Sequence, residues 1–91
     1  MTTGYRLKLH KQVEKFLASL TPAWKVRFRD RLDDLRHNPY PHPEVDIKPM
    51  QAMGESVYRL RVGHYRLIYE VRERELVVYL MTAGSRGDVY K

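Results

Sequence analysis

The chain has 91 residues, which suits one domain built on a single modest core. Apolar residues make up 43% and charged residues 31%, too apolar for a disordered chain, and no apolar run approaches the roughly 20 residues of a membrane span. Cysteine is absent, which removes disulfides, thiol catalysis and cysteine-held metal centres, while 17 Lys and Arg against 11 Asp and Glu give a charge of +6 that favours a polyanionic partner.

The opening MTTGYRLKLHKQ carries no apolar stretch of signal-peptide length, so secretion is not expected, and the missing cysteines fit a reducing cytoplasm. Tyr5, Leu7 and Leu9 alternate with Arg6 and Lys8 and predict a short half-buried strand. Val13, Phe16, Leu17 and Leu20 recur at helical spacing and predict a helix to about Leu20. Thr21-Pro22 is a helix start, with a hydroxyl to cap and a proline at the first position, and Trp24, Phe28, Leu32 and Leu35 form the stripe of a second helix to about His37. Asn38-Pro39 ends it, because a residue before proline avoids the helical region. A proline-rich connection follows, with room for a short strand at Val45–Met50.

From Val57 onward the pattern is β: Val57–Val62, Tyr65–Val71 and Leu76–Ala83, the last apolar on both faces and therefore placed centrally in the sheet. Helices grouped together and strands grouped together predict one α+β domain over residues 1–91. In it an N-terminal strand and an αα-hairpin pack on one face of a mainly antiparallel sheet of four or five strands.

Gly63-His64 between two alternating runs signals a two-residue hairpin with glycine first. That register sets Val62 opposite Tyr65, Arg61 opposite Arg66 and Arg59 opposite Ile68. Tyr58, Leu60, Val62, Tyr65, Leu67 and Tyr69 then share the core face, and Arg59, Arg61 and Arg66 share the other. Like charges directly opposite destabilise a sheet, and Glu70, near the far end of that face, relieves the repulsion only in part. A cluster of guanidinium groups on a rigid sheet suits phosphate, since arginine offers a planar fork of donors and stays charged. Arg29 and its basic neighbours on the second helix, Lys25, Arg27, Arg31 and Arg36, are salted by Asp30, Asp33 and Asp34 and read first as a solvated helix face, which would still add salt-dependent affinity for a polyanion. The scattered His10, His37 and His42 match no metal-ligand spacing, and neither a metal nor a cofactor is expected.

YRLRVGHYRLIYEV at 58–71 and VVYLMTAGSRGDVY at 77–90, with the KPM.AMG segment before the hairpin, resemble the RelE branch of the RelE/ParE toxin superfamily over the whole chain. The resemblance implies a small toxin partnered by an antitoxin, cleaving mRNA in the ribosomal A site and reaching operator DNA only through that antitoxin. It implies no cofactor and no membrane. Carried over residue by residue, Arg59 and Arg61 match the family's strand basic residues and Arg66 the arginine tied to the scissile phosphate. Arg86 matches the arginine after the last long strand, and Tyr90 the tyrosine that orients the nucleotide. Arg61, Arg66, Arg86 and Tyr90 are thus the expected catalytic set, and Arg59, Lys48 and Arg29 the expected RNA-binding set.

RNA brings its own nucleophile, the 2′-hydroxyl, so the protein must supply alignment, charge stabilisation and proton transfers. Arginine gives up a proton too reluctantly to act as base, and positions 59 and 61 are both arginine where some relatives have lysine. Tyr90, His64 or the substrate's surroundings on the ribosome are then the candidates for proton transfer, although an exposed turn histidine is more often incidental. Two other readings share the fold: a ParE-like toxin that poisons DNA gyrase without cutting RNA, and an inactive relative that only binds its antitoxin.

Overall fold

A computed structural model describes residues 4–85, so the positions of Arg86 and Tyr90 lie outside the described residues. Strand β1 (Arg6–Leu9) leads into helix α1 (Lys11–Ala18), and helix α2 (Pro22–His37) follows after a tight turn. Strand β2 (Asp46–Pro49) precedes the β3 (Val57–Val62) and β4 (Tyr65–Arg72) hairpin, and β5 (Val77–Ser85) completes the sheet. Short 3₁₀ turns at Gln51–Met53 and Glu73–Glu75 join β2 to β3 and β4 to β5. The five strands lie in the order β1-β5-β4-β3-β2, with β1 parallel to β5 and every other pair antiparallel.

The elements follow their sequence signals closely. His10 caps α1, its Nδ1 accepting from the Gln12 backbone N–H at 3.0 Å. Thr21 stands at the N-cap of α2 with Pro22 behind it, but its hydroxyl makes no capping bond, so proline rather than the side chain sets that start. Asn38 closes α2 in an extended conformation, as its place before proline requires. The run expected at the centre of the sheet, β5, is flanked on both sides, but the middle strand is β4.

Both helices pack on one face of the sheet. Val13, Phe28 and Leu35 from the helices meet Leu60, Leu67, Tyr69, Val78 and Leu80 from the strands, all buried. Phe16, Trp24 and Phe28 surround Tyr65 with ring centroids 4.9–5.7 Å away. Between Ile68 and Tyr69 the register to β5 shifts, Ile68 pairing with Thr82 and Tyr69 with Leu80, so Met81 is an extra residue. The bulge lets Leu80 and Ala83 both reach the helix-side core, while Met81 packs with Val57, Ile68 and Met50 in a small cluster on the opposite face. Gln12 completes the sheet where β1 ends: its amide donates to the Ala83 carbonyl at 2.7 Å and accepts from the Ala83 N–H at 2.9 Å. No helix among the described residues is long and apolar enough to cross a membrane.

Candidate nucleic-acid interface

The hairpin turn is two residues, and the pairing runs Val62 with Tyr65, Arg61 with Arg66, Leu60 with Leu67 and Arg59 with Ile68. Gly63 takes φ +62°, a conformation glycine adopts without strain, and a Cβ there would sit 2.5 Å from the Trp24 ring. Side chains opposite one another share a face, so two rows cross the sheet away from the helices. One runs Gly84, Arg66, Arg61 and Asp46; the next runs Thr82, Ile68, Arg59 and Lys48. The backbone therefore gathers Arg59, Arg61, Arg66 and Lys48 onto one surface.

One carboxylate sits among these cations. Asp46 accepts from Arg59 Nη2 at 2.8 Å, and the Arg59 side chain is only 12% exposed, its Nε buried with no hydrogen-bond partner among the described residues. Ion pairing and burial hold Arg59 in the sheet surface, so it shapes the local field more than it reaches outward. Arg61 is exposed and donates from Nε to the Gly63 carbonyl at 3.2 Å, while Arg66 is half-buried. Glu70, the acid expected to soften the repulsion, instead binds Arg72 at 2.9 Å. That hydrogen bond raises the Arg72 pKa above its ordinary value, against a smaller lowering by burial. Relief of the arginine rows comes from Asp46, on a strand the sequence marks only faintly.

A family model described as the ParE toxin of the type II toxin–antitoxin system parDE matches residues 7–90. RelE1 of Methanocaldococcus jannaschii is 31% identical over 96% of both chains. The chain belongs to the RelE/ParE family of type II toxins.

Among solved structures, the archaeal RelE–RelB complex of Pyrococcus horikoshii is similar with a TM-score of 0.81 and 36% identity, over 94% of this chain and 99% of that one. The intact Escherichia coli RelBE complex shares the fold with a TM-score of 0.74 at 19% identity, over 89% and 95% of the two chains. This RelE-like toxin brings Arg59, Arg61 and Arg66 together, as their alternation predicts, and the pairing of β2 with β3 adds Lys48 to them. Arg29 is placed elsewhere: it lines a groove with Leu7, Leu17, Phe28 and Leu32, on the helix side of the molecule. His64 turns toward the helices as well, its ring 5.2 Å from Trp24 and 4.1 Å from Tyr65, packed on the aromatic cluster rather than aligned with the arginine rows. Sequence reasoning missed Asp46, whose partner Arg59 lies on a different strand, and it missed the way Arg27 and Arg31 of α2 reach the hairpin turn.

Proposed function

We propose that this toxin is an endoribonuclease that cleaves mRNA in the ribosomal A site and acts in the cytoplasm. In this reading it is neutralised by a RelB-like antitoxin, through which alone it reaches operator DNA. The carrying observation is the Arg61–Arg66 pair, two like charges placed directly opposite each other with Arg59 and Lys48 in the adjoining row. Such a pairing costs stability and suits a ligand with dense negative charge. The likeness to the Pyrococcus RelE at 36% identity supports the same reading.

In the proposed reaction the substrate's 2′-oxygen attacks the adjacent phosphorus and the bond to the 5′-oxygen breaks. The products are a 2′,3′-cyclic phosphate and a 5′-hydroxyl. Arg66 stabilises the charge that gathers on the non-bridging oxygens, with Arg61 and Arg86 in support, and Tyr90 orients the nucleotide. The proton leaving the 2′-hydroxyl goes to the phenolate form of Tyr90 or to a ribosomal group, and the group so protonated, or a water, gives a proton to the departing 5′-oxygen. An arginine gives up its proton too reluctantly for the first role. His64 packs its ring against Trp24, beside the arginine rows, and the proposed reaction gives it neither transfer.

The family model, described as a ParE toxin, favours a second reading in which the same fold poisons DNA gyrase. Mapping mRNA 5′ ends after brief induction separates the two. The nuclease reading predicts new ends inside translated reading frames, absent with Arg66→Ala and absent when translation is blocked. Intact mRNA together with DNA breaks would transfer the assignment to the gyrase reading.

A further inference from the structure

Beside the arginine rows, where α2 passes the β3–β4 turn, lies a hollow of about 320 Å³ lined by Arg27, Asp30, Arg31, Arg61, Val62 and Gly63. Arg27 and Arg31 are one helical turn apart and so share a face of α2. Arg61 comes from the sheet, so three guanidinium groups from two elements meet one acid. The arrangement is held in place. The Arg27 guanidinium lies 4.4 Å from the centre of the Trp24 ring, and Trp24 is wedged against Gly63, His64 and Tyr65. Arg31 is tethered to Asp34 at 3.3 Å, and Arg61 is tied through Nε to the Gly63 carbonyl, which leaves its four Nη hydrogens for a ligand. The Arg27 guanidinium makes no hydrogen bond or ion pair among the described residues.

We propose that this hollow is a second seat for an RNA backbone phosphate, so that the bound strand runs from the Arg61–Arg66 pair around the hairpin turn onto α2. The inference rests on the RNA-cleaving reading and adds a binding site to it. Phosphate fits better than an acidic protein segment, because such a segment gains much of its affinity by burying apolar side chains. The only apolar side chain in the lining, Val62, is already buried in the core, whereas the groove beside Arg29 offers Leu7, Leu17, Phe28 and Leu32.

The test is fluorescence anisotropy with a labelled 2′-O-methyl RNA decamer, which binds but lacks the nucleophile for cleavage, measured across salt concentrations on the full chain. Arg27→Ala/Arg31→Ala should weaken binding roughly tenfold. It should also flatten the dependence of log K on log salt by about 0.7 for each phosphate that is no longer neutralised. Arg27→Lys/Arg31→Lys should keep most of the slope, and Asp30→Asn should tighten binding by removing the one carboxylate in the hollow. The variants alter two exposed helix positions, Arg27 and Asp30, and the half-buried Arg31, and matching thermal melts exclude misfolding. An unchanged slope and affinity in the double alanine variant overturns the seat, as does a variant that loses binding to a decaglutamate peptide while holding RNA normally. The outcome is separable from the nuclease reading: failure of the seat with mRNA still cut through Arg66 removes only this inference. A seat that binds RNA in a chain that cuts none removes only the cleavage.

Discussion

Gly63 joins two requirements at one position: φ +62° and a Cβ vector aimed at Trp24 from 2.5 Å. A side chain there would strain the turn and push the aromatic ring on which Tyr65, His64 and Arg27 rest. Gly63→Ala should therefore cost about 1–3 kcal/mol, read as a lower urea midpoint with an unchanged slope. The glycine-first turn is visible in the sequence because a two-residue loop between alternating strands demands it. Its contact with Trp24 is not, since nothing in either local pattern says where α2 crosses the hairpin. Tyr69 is a similar case. Its place in the core follows from alternation, but its hydroxyl donates to the Pro39 carbonyl at 2.6 Å, a partner thirty residues away.

The hairpin is readable as an element because its register and its faces are fixed by the same two residues, Gly63 and His64. Three arginines of the candidate site come with it. β5 resists such a reading: Val77, Val78 and Leu80 are buried on both faces, so no alternation marks the bulge at Met81. Nor does an exposed glutamine at the start of α1 announce that it will serve as a substitute strand for Ala83. Gln12→Ala strips partners from a backbone N–H and a carbonyl at once. The expected loss is about 1–3 kcal/mol, seen in denaturant melts and as faster amide exchange at Ala83. A Gln12→Ala chain as stable as the wild type would show that water replaces the amide at no cost.

Across the whole molecule, the sheet separates two duties: its helix side carries the main core, and its other side carries the arginine rows around the small Val57–Ile68 cluster. The sheet's far end is closed by Glu73, whose carboxylate accepts from Tyr5 at 2.8 Å and from the Tyr40 hydroxyl, joining the residue just before β1, the proline-rich connection and the turn before β5. The bond from Tyr40, then that from Tyr5, lowers the Glu73 pKa, and the same carboxylate raises that of Tyr40. With its folded pKa below its unfolded one, Glu73 stabilises the fold above the usual carboxylate range, and that support disappears as pH falls through the folded value. Melting temperature should thus fall more steeply below about pH 4.5 in the wild type than in Glu73→Gln, the two curves converging in acid. Parallel curves would mean the tie contributes nothing. The α+β architecture itself follows from the grouping of helices and strands. Contacts between helix and sheet, including the approach of Arg27 and Arg31 to Arg61, are set by packing that no single periodicity records.

Whether Arg66 on a basic sheet face drives RNA cleavage is tested most directly with purified ribosomes programmed with a defined mRNA. The wild type should cut within the A-site codon and leave a 2′,3′-cyclic phosphate, and folded Arg66→Ala should be slower by about 10²-fold or more. Undiminished cleavage by Arg66→Ala, or no cleavage by a wild type that still arrests growth, would contradict that role.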